Sequence, residues 1–391
     1  MHKIVSLLIL ALLYNCSSND DSTTTENPDN IDLSTYFNID FDALPNYQNQ
    51  TIPSYITRDN TPINNPITDE GATLGRILFY DQNLSTDNTV SCASCHKQEL
   101  AFSDNASVSI GINGLTGRHS MRLVNSRFAD ENNFFWDERA GSLEVQTTMP
   151  IQDHIEMGFS GENGDLSFND LISKLENTEY YPELFNLAFG SETINETRIQ
   201  QALAQFIRSI QSFDSKYDQG RSVAINDGQP FNNYTVEENQ GKNLFLQPPT
   251  FNNQGIRING GLGCAGCHQP PEFSIDPNSL NNGIISTADQ SGFDFNNTRS
   301  PSLRDVVKAD GTSNGPFMHI GLSNNLVTTI NHYNQITVGN NPNLDPRLRP
   351  NGIGQQLNIT DTERDAVIAF ISTLAGNNVY TDEKWSNPFN N

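Results

Sequence analysis

The 391-residue chain predicts a mainly α protein built from two like units. Three observations carry this. A Cys-x-x-Cys-His motif occurs twice, at Cys92-Ala93-Ser94-Cys95-His96 and at Cys264-Ala265-Gly266-Cys267-His268. Each motif follows a short stretch with apolar residues at helical spacing, and nowhere does the chain sustain the apolar–polar alternation of a half-buried strand.

Cys-x-x-Cys-His is the attachment signature of a c-type haem. The two thiols add across the haem vinyl groups, the two-residue spacer lets one turn present both sulfurs to one porphyrin edge, and the adjacent His reaches the iron. Paired cysteines also serve as structural zinc ligands or redox dithiols. Here the pairs lie far apart in the chain, both are followed by His, and they hold four of the five cysteines. The expectation is two covalently bound c-type haems on Cys92, Cys95, Cys264 and Cys267, with His96 and His268 as iron ligands. The architecture expected is two cytochrome c-like haem domains packed against each other.

Residues 1–15 read as a signal peptide: Lys3 supplies the positive start and Ile4 to Leu13 a short apolar core, too short to span a bilayer. Cys16 follows directly and resembles the lipidated first residue of a bacterial lipoprotein. The protein is therefore expected to be exported to the periplasm or cell envelope, anchored through lipid to the outer membrane. Residues 16–60 are rich in Asn, Asp, Ser and Thr and read as a flexible tether. The formal charge of −24 disfavours nucleic acid as a partner and suits a basic electron-donor protein.

From Gly71 the composition changes. Leu74, Ile77, Leu78 and Phe79 give a short helix one apolar face, and Asp81 to Asn88 form a turn-rich loop leading into the first motif. The stretch LGRILFYDQNLS followed by SCASCH resembles the start of bacterial dihaem cytochrome c peroxidases, a superfamily that includes MauG. The resemblance runs from about residue 70 to the C-terminus. It is strengthened by Phe135-Trp136-Asp137-Glu138-Arg139, followed at ten-residue intervals by Gln146 and Glu156. It implies an N-terminal peroxidatic haem domain over 61–225 and a C-terminal electron-transfer haem domain over 226–391. It also implies that Trp136 sits between the haems and that Gln146 and Glu156 line a hydrogen peroxide pocket. The chemistry needs such groups: a carboxylate to take and return a proton, and a neutral amide to orient peroxide without adding charge. Judged from its neighbours alone, Glu156 reads as a solvated loop carboxylate.

Many family members carry a distal His on the first haem. The matching position here is Gly111, so an open iron position is expected. His119 stands where relatives place an Asn near an interdomain calcium. An imidazole is a poor ligand for that hard cation, so calcium would need backbone carbonyls.

Thr193 to Glu196 has the form of a capping box, followed by a helix with Ile199, Leu203, Phe206, Ile207 and Ile210 on one face. A break rich in Gly, Asn, Asp and Pro spans 219–235. Glu237 to Leu246 then restarts with a helix that echoes the first. GPFMHIG at 315–321 resembles the family's landmark before the second haem's sixth ligand. That ligand falls at Tyr333, with Met318 and His332 as competitors. Thr360 and Glu363 suggest a second capping box, ahead of a terminal helix stopped by Gly376. The function implied is peroxide reduction by a dihaem peroxidase, with electrons from an external donor such as a small cytochrome c. A MauG-like oxidation of a residue on a partner protein is the alternative.

Overall fold

Gly75 and Gly241 each lie four residues before a phenylalanine, Phe79 and Phe245, and each marks a helix crossing. The computed structural model describes residues 31–130 and 132–390. Its helices are α1 (Asp69–Tyr80), α2 (Cys92–Cys95), α3 (Leu143–Thr148), α4 (Phe168–Glu176), α5 (Tyr181–Phe189), α6 (Glu196–Ser209), α7 (Lys216–Arg221), α8 (Val236–Leu246), α9 (Leu326–Asn334) and α10 (Asp361–Ser372). Among the described residues, strand is confined to three short antiparallel ladders: β1 (Ile110–Gly111) with β2 (Gly114–Leu115), β3 (Pro249–Phe251) with β4 (Arg257–Gly260), and β5 (His268–Gln269) with β6 (Ser274–Ile275). The protein is mainly α.

Helix α1 crosses α6 so closely that a Cβ on Gly75 would stand 2.0 Å from the Ala202 carbonyl oxygen. Helix α8 crosses α10 in the same way, with 1.8 Å from Gly241 to the Ala366 carbonyl. Only glycine permits such backbone approach. Two hydrophobic cores form around these pairs. The first takes Leu74, Ile77, Phe79, Leu203 and Phe206, and the second takes Phe245, Val367, Phe370 and Ile371. The chain passes from one core to the other between Ile210 and Tyr217.

Several expectations need correction. Residues 31–60 are not a free tether: Leu33, Phe37, Ile39 and Tyr47 are buried in the first core. Composition averages hid a few well-spaced apolar residues, which find a partner in the chain's far end. Phe37 bridges to Phe389, and Asn38 N–H donates to the Pro388 carbonyl at 2.7 Å. The C-terminal tail likewise leaves the second core, with Val379 and Trp385 joining the first. Helix α6 is capped by Asn195, whose side chain accepts from Arg198 N–H at 3.0 Å, so the box at Thr193 does not form. At α10 the Thr360–Glu363 box forms as read, but the helix ends at Ser372, before Gly376. The signal segment and Cys16 lie outside the described residues.

Candidate active site

Each Cys-x-x-Cys-His motif curls into one turn. Ser91 and Ser94 cap α2 reciprocally, and His96 N–H closes the turn on the Cys92 carbonyl at 2.9 Å. In the second motif a 3₁₀ turn spans Cys264–Gly266, closed by Cys267 N–H on the Cys264 carbonyl at 3.1 Å. All four thiols are free. Burial pushes Cys92 up to about 12, Cys95 to about 11 and Cys264 to about 12, so they are held as protonated thiols. His96 Nδ1 pairs with the Phe102 carbonyl at 3.1 Å, which leaves Nε2 as the basic nitrogen. Burial lowers the proton affinity of both histidines, that of His268 to about 4. Two neutral imidazoles are what a metal ligand requires.

Each motif opens on a cavity. The first, about 670 Å³, is lined by Cys92, Cys95, His96, Gly111, Trp136, Gln146 and Glu156. The second, about 640 Å³, is lined by Cys264, Cys267, His268, Met318, Tyr333 and again Trp136. These sizes suit a large, mostly apolar cofactor.

In the first cavity, helix α3 presents Gln146, while Glu156 lies on a loop shaped by Asp153. The Asp153 carboxylate accepts from Ile155 N–H at 2.8 Å and Glu156 N–H at 3.0 Å. The turn after β1 fixes that loop from the other side, with Ile112 N–H donating to the Glu156 carbonyl at 3.1 Å. A Cβ on Gly111 would stand 2.1 Å from the Ile155 carbonyl oxygen. Position 111 therefore holds no ligand, and no side chain fits there at all. The Glu156 carboxyl makes no hydrogen bond among the described residues. Burial first, then the nearby Asp153 charge, raise it to about 7, against a smaller opposing pull from Arg139. It is the kind of group that exchanges a proton near neutrality.

In the second cavity, helix α9 carries Tyr333. Its hydroxyl and the Met318 sulfur both lie 3.4 Å from the Asn282 amide nitrogen, so two candidate ligands share one amide. Burial raises the Tyr333 phenol above its usual range. His332 turns away, with Nε2 on the Asn282 carbonyl at 2.9 Å. Asn282 was not legible in the sequence, because its role comes from contacts fifty residues away along the chain.

Trp136 is buried in the wall common to both cavities. Its indole N–H donates to the His119 carbonyl at 2.7 Å, and His119 N–H donates to the His319 carbonyl at 2.7 Å. The His319 ring packs edge-on at 6.2 Å from Trp136. The His119 ring itself is committed: Nδ1 faces the Ala106 carbonyl at 2.9 Å and Nε2 faces Ser103 Oγ at 3.4 Å. Arg118 braces the same wall by pairing with Asp137 and Asp294.

The residues present fit c-type haem. Each cavity offers two free thiols and one neutral His beside a single turn. The four cysteines line separate cavities, so they do not converge as one zinc site. Fold and cavities together define a protein built for two haems. Comparison with known proteins agrees. A family model described as di-haem cytochrome c peroxidase matches residues 69–223. The methylamine utilization protein MauG of Methylophilus methylotrophus is 30% identical over 324 residues, covering 81% of this chain and 85% of that protein. Cytochrome c551 peroxidase of Nitrosomonas europaea is 26% identical over 321 residues, covering 78% and 80%. A solved MauG-like protein associated with microbial copper homeostasis aligns with a TM-score of 0.64 at 26% identity, over 87% of this chain and 99% of that one. The diheme peroxidase BthA of Burkholderia thailandensis shares the fold, with a TM-score of 0.55 at 21% identity, over 84% and 89%. The chain belongs to the dihaem cytochrome c peroxidase and MauG family.

Proposed function

We propose that the protein is a dihaem peroxidase that reduces hydrogen peroxide to two waters, consuming two protons and two electrons from an external donor such as a small cytochrome c. The observation that carries this reading is Glu156: a carboxyl group without a hydrogen-bond partner among the described residues, raised to about 7, in the wall of the His96 cavity. A c-type haem bound there supplies an iron that takes up peroxide and exchanges electrons with it. His96 would hold that iron. Glu156 takes the proton from the inner peroxide oxygen and returns it to the outer oxygen, which leaves as water. Gln146 orients the peroxide without adding charge. His268 would hold the second haem, which would supply the entry point for donor electrons, and Trp136 lies in the wall between the two cavities. Tyr333 is the proposed second ligand there, with Met318 the alternative. Tyrosinate oxygen favours ferric iron and lowers the potential, whereas Met raises it.

The reading includes two haem domains, 61–225 and 226–391, facing each other across the Trp136 wall. Any calcium ion would draw on backbone carbonyls, since the His119 ring is occupied. Export and a lipid anchor on Cys16 complete the picture: Cys16→Ser should shift the protein from the membrane to the soluble fraction, and retention in the membrane would remove the anchor from the account.

The alternative, oxidation of a residue on a partner protein, is favoured by Tyr333 and by the 30% identity to MauG. Peroxide turnover by the haem-loaded protein with reduced small cytochrome c separates the two. Sustained multiple turnover is expected. Reaction with peroxide but no turnover of any reduced cytochrome would favour partner oxidation.

A further inference from the structure

Arg122 lies in the wall between the cavities and lines both. Its side chain is buried, with the residue 6% exposed. One terminal nitrogen donates to the Asn314 carbonyl at 2.6 Å, while Nε is buried with no partner. Among the described residues Arg122 forms no ion pair. Two other buried guanidinium groups have carboxylates, Arg304 with Asp218 and Glu272 and Arg208 with Glu144, whereas the buried Arg76 donates to the Ser386 carbonyl and hydroxyl. The carboxylate whose charge reaches Arg122 is Asp305. Its Oδ1 accepts from Gly376 N–H at 2.8 Å and the Tyr380 hydroxyl at 3.0 Å; its Oδ2 is buried without a hydrogen-bond partner among the described residues and stands outside ion-pair distance of Arg122.

A buried cation without an anion is costly, and a neutral carbonyl does not offset it. The fork of a guanidinium matches a carboxylate. Each haem carries two propionate carboxylates, which themselves need cationic or hydrogen-bonding partners once out of water. Asn314 holds the guanidinium in place: its own amide donates to the Leu100 carbonyl at 3.1 Å and to the Asp305 carbonyl at 2.8 Å, which fixes the carbonyl that Arg122 uses. We propose that Arg122 is a cofactor-binding residue whose guanidinium pairs with a haem propionate in the wall between the two cavities. This rests on the two-haem reading. The paired charge sits where it raises the potential of the haem it touches and ties that haem to Asn314 across the wall.

The test uses full-length protein matured with both haems, counted by mass spectrometry. Fewer than two haem additions would overturn the two-haem reading itself, independently of Arg122. In doubly loaded protein, resonance Raman propionate-bending bands should shift to lower frequency in Arg122→Gln, and one midpoint potential should fall. Arg122→Lys should keep most of the potential. Coincident Raman bands in wild type and Arg122→Gln would overturn the assignment. If Arg122→Gln fails to load, crystals of the wild-type holoprotein decide. A propionate oxygen within about 3.2 Å of the guanidinium supports it, and propionates bonded only to other groups refute it.

Discussion

Gly75 against Ala202 and Gly241 against Ala366 are one helix crossing built twice. Around it the repetition goes further. Phe79 and Phe245 are fully buried one turn on. Phe102 and Phe273, which follow the two haem-motif histidines, both adopt left-handed backbone, at φ 59° and 62°. The halves part company where each cavity needs a wall. The first is closed by the Asp153–Glu156 loop pressed against Gly111, which brings a buried carboxyl raised to about 7 and shuts out any side chain at that position. The second is lined by α9 and the loop before it, which bring Tyr333 and Met318. The lesson is a division of labour. Helix packing makes two equivalent sockets, and the segments added on that frame give one a buried carboxyl and the other a phenol and a thioether.

Removing the carboxyl breaks this contrast most strongly. Glu156→Gln should lower peroxide turnover by about 10²–10⁴-fold, the usual worth of general acid–base catalysis, while both haems still load. In wild type the rate should rise with pH through about 7 as Glu156 ionises, because only the carboxylate can take the first proton. The variant should lose that step. A stopped-flow pH profile with the same step in both proteins would assign it to another group.

The shared frame is tested by Gly75→Ala and Gly241→Ala. Ala ordinarily favours a helix, but here the Cβ would meet a facing carbonyl. Each change should cost about 1–3 kcal/mol in urea unfolding, with Gly241→Ala at least as costly given its closer approach. If either variant were more stable than wild type, the crossings would not be the matched constraint described.

The smallest effect belongs to Gln146→Ala, which removes orientation but leaves the proton shuttle. A neutral hydrogen bond contributes about 0.5–1.5 kcal/mol, so turnover should fall roughly tenfold or less. A loss exceeding that of Glu156→Gln would reverse the roles of the two residues.

How far the sequence revealed this molecule depends on the range of the interactions. The haem motifs, the apolar faces of α1 and α10 and the Thr360 cap were legible, because each is set within a few residues. The resemblance to the peroxidase family singled out Trp136, Gln146 and Glu156, three side chains that the fold brings to one cavity. Contacts between distant segments were not legible. The burial of Phe37 and Tyr47 depends on the C-terminal tail, and the tail's return to the first core depends on them. Asn282 between Tyr333 and Met318, and Arg122 against Asn314, acquire meaning only when the chain closes on itself. The echo between GRILF at 75–79 and GKNLF at 241–245 was faint as a string. It proves strong as packing, because Gly75 and Gly241 stand at matching helix crossings and Phe79 and Phe245 are fully buried one turn on.

The central claim, one socket open for chemistry and one closed by a second ligand, is tested most directly by electron paramagnetic resonance of the fully oxidised, doubly loaded protein. The account predicts two distinct ferric signals, one high-spin from the haem on His96 and one low-spin from the haem on His268. It also predicts that Tyr333→Phe alters only the low-spin signal. Two low-spin signals in the resting protein would contradict it.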